Sequence, residues 1–414
     1  MMSASVTESP SVTERPLTGG LLYLLAGLAA IGALATNIIL PSFPRMAADL
    51  GVSAKDLGLL LSSFFVAFAF GQLVVGPLSD RFGRAKLVIG GLAVFAAGSI
   101  LCAVATTFPM MVTGRVIQAI GACTASVLAR AIGRDLFEGA ALARALALTM
   151  IAGAAAPGFS PLLGSLIVTL SHWRVTFVAV AAFSVALAIH YARRIGETHG
   201  ADRRTPLAPV AVARAYGHLL ADRRFLLPAV AVGVIIGGLY SFFAAAPSIL
   251  MVELGLTALQ LGLSFAFTVL IVFFAGFLAP RLADRWGGPT IALAGILVAL
   301  VGGVAMFVFA AAPTFATLTV AIMVFLFGVG LTNPLATAIA LTPFGQQAGL
   351  ASALLGFLQM AFAALGAFCA SALPFAPAVS LGIVLTAGAV IGFLVFLPVW
   401  LQRLDPSPPR SQAT

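Results

Sequence analysis

The chain has 414 residues, 61% of them hydrophobic and only 8% charged. With a mean hydropathy of +1.12, a water-soluble fold is excluded, because no globular core hides that much apolar surface. The net charge of +9 invites a nucleic-acid partner, but the basic residues stand in short clusters between apolar runs with no interleaved aromatics, a pattern suited to an anionic lipid surface.

A spanning helix needs about 20 apolar residues, so charged residues fence the spans. Residues 1–20 are rich in Ser, Thr and Pro and carry Glu8, Glu14 and Arg15. They are expected to form a disordered cytoplasmic tail. No small-residue cleavage site follows the apolar run that starts near Leu21, so a signal peptide is not expected. The first half, 21–192, takes six spans. They lie between Arg15 and Arg45, between Asp56 and Asp80, between Lys86 and Thr106, from before Arg115 to about Arg130, between Arg144 and Arg174, and between Arg174 and Arg193. Residues 193–224 carry seven Arg and read as a cytoplasmic linker. The second half, 225–402, opens with spans over about Phe225–Met251 and Leu259–Pro280. From Trp286 to Gln402 no charged residue occurs, and breaks at Pro313, Pro343–Gln347 and Pro374 with Pro377 divide this run into four spans. Residues 403–414 form a second cytoplasmic tail. The expected fold is an all-α integral membrane protein with twelve transmembrane helices in two six-helix halves.

Orientation follows from charge. With the N-terminus inside, eighteen of the 22 Lys and Arg lie on the cytoplasmic side; only Arg45, Lys55 and Arg174 lie outside, and Arg115 falls within a span. The halves also echo each other. Pro280-Arg-Leu-Ala-Asp284-Arg285-Trp-Gly287 repeats Gly76-Pro-Leu-Ser-Asp80-Arg81-Phe-Gly83, although Gly288 stands where Arg84 would recur. A parallel repeat around a central site is a transporter arrangement. Cys102, Cys123 and Cys369 are scattered singly inside apolar runs, implying neither disulfide nor metal site.

The most organised stretch is Gly71–Gly91, GQLVVGPLSDRFGRAKLVIGG. Topology alone needs only its Arg and Lys. The Gly, Pro and Asp point further, to a sharp turn on Gly76 and Pro77 whose carboxylate accepts hydrogen bonds from helix N-termini. The stretch resembles the loop signature of the major facilitator superfamily. That resemblance implies a conformational latch built from Gly76, Asp80, Arg81, Gly83 and Arg84, with Asp284 and Arg285 as its second copy. Within it, Asp80 would contact the neighbouring half and favour the outward-facing state, and Arg84 would pair with Asp135.

Arg115 is a charge inside a span, and such residues are functional by default unless they snorkel to an interface. Gly114-Arg115-Val-Ile-Gln118-Ala-Ile-Gly121 is similar to the fourth-helix signature of proton-coupled antiporters, which implies that Arg115, Gln118 and Gly121 serve coupling. In the fifth span, Gly153, Pro157, Pro161 and Gly164 resemble the antiporter signature thought to block leak, with Ser160 and Ser165 standing where Gly is usual. Taken alone, the same residues read as a flexible packing helix. Leu40-Pro41-Ser-Phe-Pro44, Ala131–Phe137 and Ala348–Gln359 look like the Bcr/CflA drug-resistance branch.

One departure matters. Asn37 stands where that branch usually carries Asp, a candidate proton site, and no Asp or Glu lies well inside any span. With Arg115 expected to line the cavity, a cationic substrate there is costly, and the preferred substrate is expected to be neutral or anionic. With no titratable acid inside a span, proton coupling is expected to be weak or to run through loop carboxylates. Asn37, Tyr240, Phe243, Asn333 and Gln359 are the candidate cavity residues, and Asn333-Pro334 is expected to mark a break in its span. The expected function is multidrug or small-molecule efflux across the bacterial inner membrane by alternating access, proton-linked despite Asn37. The alternative is a metabolite exporter or facilitator without strong coupling. An intramembrane enzyme would need a nucleophile–base pair, a carboxylate pair or metal ligands at membrane depth, and none is present in sequence. No cofactor is implied. The expected partners are a small-molecule substrate, protons and membrane lipids, around a monomer.

Overall fold

The computed structural model describes residues 18–402 except 201, 203 and 205–207. Both terminal tails expected from the sequence lie outside these residues, apart from residues 18–20. In the first half the helices are α1 (Gly19–Asn37), a short α2 (Phe43–Leu50), α3 (Gly58–Phe82), α4 (Arg84–Ala103), α5 (Phe108–Leu136), α6 (Gly139–Leu170) and α7 (Arg174–Arg194). After α8 (Pro209–Ala221) come α9 (Arg223–Ala246), α10 (Ala258–Trp286), α11 (Gly288–Phe309), α12 (Phe315–Leu341), α13 (Ala348–Ala372) and α14 (Pro377–Leu401). Setting aside α2 and α8, twelve of these are apolar and long enough to span a bilayer, α12 and α13 being joined through a 3-10 turn at Thr342–Gln347. The protein is a multi-pass membrane protein.

Local chemistry sets the ends. Gly83 adopts φ +91°, a conformation that an L side chain rarely takes, and so stops α3 and starts α4. Thr107 and Asp222 cap α5 and α9 through their side chains, while Thr257 and Thr314 form capping boxes on α10 and α12. The spans are apolar on nearly every face. Large side chains such as Phe70, Phe267 and Phe274 point outward, where lipid takes the place of water.

The two halves repeat one packing scheme. In the first, α1 packs on α6, α3 and α4 on α5, and α4 on α7; in the second, α9 packs on α13, α10 and α11 on α12, and α11 on α14. The halves meet through two equivalent pairs, α3 with α13 and α6 with α10. Because apolar burial drives nothing between helices in lipid, close approach depends on small residues. A Cβ at Gly58 would overlap the Ser371 hydroxyl of α13, so Gly58 lets the start of α3 lie close against α13.

Three sequence expectations are corrected. Gly76 and Pro77 lie inside α3 rather than in a turn, and the chain reverses at Gly83 alone. The fourth span continues past Arg130 to Leu136, because Arg130 faces the space between the halves instead of lipid. Pro334 does not break its helix, since α12 runs through it. Within the linker, residues 209–221 are helical and pack against both α9 and α13.

Candidate functional site

We call the end where α3 turns into α4 the basic end, and its opposite the far end. The halves are closed at the far end. Lys55 donates from Nζ to the carbonyls of Leu373 and Phe375, crossing from the first half to the α13–α14 turn. Alongside, α2 packs against the helical turn Pro247–Glu253. Towards the basic end the halves separate around a cavity of about 560 Å³.

This cavity has an aromatic roof and a polar wall. Phe64, Phe65 and Phe68 come from α3 and Tyr240 from α9; the Phe65 and Tyr240 rings meet edge-on across the halves at 4.5 Å. Below them stand Gln72, Ser126, Asn333, Thr337 and Gln359. Leu341 at the end of α12 and Ser352 near the start of α13 carry the wall to the basic end. Among the described residues no carboxylate lines it, and its only charged side chain is Arg130.

Of the candidate cavity residues, Tyr240, Asn333 and Gln359 reach the wall, together with Gly153 of the fifth-span motif. Phe243 does not; it packs behind Tyr240 at a ring distance of 5.5 Å. Asn37 is also buried away from the cavity, at the end of α1, where its amide donates to the Ala33 carbonyl at 2.8 Å and to Thr36. Its Oδ1 has no hydrogen-bond partner among the described residues.

Arg115 is wholly buried and does not line the cavity. Its guanidinium lies 4.4 Å from the centre of the Phe64 ring, and Phe64 is itself a wall residue, so the cation sits one side-chain layer behind the wall. Nη1 donates to the Ala35 carbonyl at 3.1 Å and to Gln118 Oε1. Because α1 stops at Asn37, the Ala35 carbonyl belongs to its last turn, where a cation opposes the negative end of the helix dipole. Gln118 passes the link on, donating to Ser99 of α4 at 2.8 Å. A Cβ at Gly121 would overlap the Gly91 carbonyl, so this glycine lets α4 and α5 touch. Arg115 therefore ties α5 to the ends of α1 and α4. Its Nε and Nη2 have no hydrogen-bond partner among the described residues.

In the fifth-span motif, Gly164 meets the same broken end of α1, where a Cβ would overlap the Ile38 carbonyl oxygen. Pro157 and Pro161 lie within an unbroken α6, and Pro161 faces α10 beside Gly262.

At the basic end the organising residue is Arg84. Its Nε pairs with Asp135 at 3.1 Å, and its Nη1 with Asp80 at 2.7 Å and with Ser79. The sequence reading had Asp80 accepting from a helix N-terminus; Glu197 does that instead, accepting from the Arg84 amide at 2.8 Å. The chain brings Glu197 there directly after α7, and the neighbouring Thr198 donates to Asp135 at 3.0 Å. Asp80 stays half-exposed, and Arg81 is exposed against the Phe82 ring. The second copy forms no such network. Asp284 is exposed with no hydrogen bond or ion pair among the described residues, and Arg285 lies on Trp286. Gly288 supplies no cation to join them.

The sequence reading overlooked Arg130, Gln72, Phe65 and Glu197. A signal existed for Arg130, which follows Ser126 by four residues and shares its helical face.

Comparison with known proteins agrees with this architecture. The sequence model of the Major Facilitator Superfamily matches residues 25–367. The uncharacterized MFS-type transporter YdgK of Bacillus subtilis (strain 168) is 30% identical over 389 residues, covering 93% of this chain and 96% of that protein. Multidrug resistance protein D of Escherichia coli (strain K12) is 27% identical over 391 residues, covering 93% and 97%. Among solved structures, a bacterial homologue of the human lysosomal transporter Spinster, in its inward-facing and occupied conformation, superposes with a TM-score of 0.72. It is 17% identical and covers 96% of this chain and 100% of that one. The chain belongs to the major facilitator superfamily of membrane transporters, in the Bcr/CflA drug-resistance branch that its motifs resemble.

Proposed function

We propose that this transporter exports small amphipathic compounds across the bacterial inner membrane by alternating access. The observation that carries this reading is the cavity between the halves, reaching the basic end and closed at the far end. The charge asymmetry supports placing the basic end and both termini in the cytoplasm, so that the cavity is loaded from inside. Export of drugs is supported by the name of the Escherichia coli relative, multidrug resistance protein D. Among the described residues the wall lacks any carboxylate, which favours neutral or anionic compounds over permanent cations.

Arg84 with Asp80 and Asp135 acts as the latch at the cytoplasmic face, and Arg115 transmits rearrangement of α1 to α4 and α5. With Asn37 unable to titrate, proton linkage runs through Asp80 and Asp135 or is weak. Asn37 also favours a second reading, export of a metabolite without strong coupling.

The test is a growth-inhibition panel in an efflux-deficient bacterium, comparing wild type with Arg115→Ala and Asn37→Asp at matched membrane expression. Protection by wild type that Arg115→Ala abolishes is the expected result. Selective protection against quaternary ammonium compounds contradicts the charge preference. An absence of protection against every toxic compound contradicts drug export and favours the metabolite reading.

A further inference from the structure

We propose that Arg130 selects the charge of the substrate, anchoring the acidic group of an amphipathic aromatic anion inside the cavity. The inference rests on reading this cavity as the substrate site.

Among the described residues Arg130 is the only charged residue of the wall, and it has no hydrogen bond or ion pair there. The acids nearby do not serve it. Asp135 is taken by Arg84 and Thr198, and Glu138 is exposed beyond the end of α5. The remaining basic groups reinforce it: Arg134, one turn further along α5, adds a like charge and is exposed, as is Arg144 on α6. Like charges four residues apart on a helix oppose each other. Arg130 is itself exposed to the cavity, so its guanidinium is open to a ligand, and an acidic group that displaces its water gains charge-assisted hydrogen bonds. Arg also suits the task chemically, because its planar fork holds a carboxylate by two parallel hydrogen bonds.

The rest of the wall describes the remainder of the ligand. Phe65, Phe68 and Tyr240 form an aromatic surface at the deep end, and Gln72, Asn333 and Gln359 offer amides between that surface and the mouth. On α12 alone the wall runs from Asn333 to Leu341, a depth of about 12 Å at the helical rise. A body of two fused aromatic rings bearing one acid fits that depth. Its rings lie against the roof and its carboxylate meets Arg130.

The test uses the full-length protein in nanodiscs of phosphatidylcholine alone, which removes anionic lipid as a competing occupant. The probes share one aromatic body: tritiated 2-naphthoate, its primary amide, and the corresponding quaternary ammonium. Wild type is expected to bind the carboxylate in preference to the amide and to exclude the ammonium. Arg130→Gln is expected to weaken the carboxylate about 10- to 100-fold, the range for a charge-assisted hydrogen bond, while leaving the amide nearly unchanged. Arg130→Lys is expected to keep most of the affinity, which separates loss of charge from loss of fold. Equal affinity of wild type for carboxylate and amide, or no binding of the carboxylate, overturns the proposal. A second arm follows transport of the same probes in proteoliposomes. If binding depends on Arg130 but no probe is carried, export fails and the anchor stands. If transport keeps its charge preference in Arg130→Gln, the anchor fails and export stands.

Discussion

The Tyr216 hydroxyl of α8 donates to the Leu73 carbonyl of α3 at 3.1 Å. Leu73 lies four residues before Pro77, and Pro77 has no N–H to give it, so the linker helix supplies the donor that the proline removed. Burial pushes the Tyr216 phenol above its ordinary pKa, which keeps the proton needed for donation. Because α8 also touches α13, this bond braces the seam between the halves. Tyr216→Phe is expected to cost about 0.5–1.5 kcal/mol of unfolding free energy in mixed micelles. In a Pro77→Ala background, where Ala restores the backbone donor, the same change should cost almost nothing. Equal costs in both backgrounds would show that Tyr216 acts by packing alone.

The two acids on Arg84 differ in environment, and their substitutions should differ accordingly. The Asp135 side chain is 14% exposed and that of Asp80 is 45% exposed. Asp135→Asn is expected to cost about 1.5–3 kcal/mol, the range for a hydrogen bond to a charged partner. Asp80→Asn should cost less than about 1 kcal/mol, because water screens an exposed pair. The same unfolding measurement ranks them, and a larger loss at Asp80 contradicts the assignment of Asp135 as the main anchor.

Arg115 separates stability from function. Replacing a buried cation with Met removes a desolvation cost of several kcal/mol. It also leaves the Ala35 carbonyl and Gln118 Oε1 without their donor, at about 1–3 kcal/mol each. These opposing effects nearly cancel, so the thermal midpoint of Arg115→Met should lie close to wild type while transport in proteoliposomes is lost. A large fall in midpoint with transport retained identifies Arg115 as purely structural.

The glycines of α6 are not equivalent. A Cβ at Gly153 meets nothing within 4 Å, whereas one at Gly164 strikes the backbone of Ile38. Gly164→Ala is expected to destabilise by about 1–3 kcal/mol, as overpacking does. Gly153→Ala should instead stabilise by up to about 1 kcal/mol, because Ala fits the open space and is the better helix former. Thermal unfolding of the two purified variants checks this ranking, and a transport assay of both in proteoliposomes distinguishes it from a shared leak-blocking role, which predicts equal transport defects.

Local properties made much of this protein legible from sequence alone. Hydropathy and the spacing of charged residues predict twelve spans because lipid tolerates neither charge nor unpaired backbone, whatever the neighbouring helices do. Arg115 and its Gln118 partner were legible for the same reason, since a charge within a span stands out against its surroundings. Rotation and contact could not be read this way. The spans are apolar on nearly every face, so no periodicity tells which side meets a partner helix, the cavity or lipid. Only the tertiary structure puts Arg115 behind Phe64, turns Arg130 into the cavity, brings Glu197 to the start of α4 and sets Tyr216 against Leu73. Each of these depends on which helix faces meet, and the close approach of small residues together with the pairing of isolated polar groups decides that.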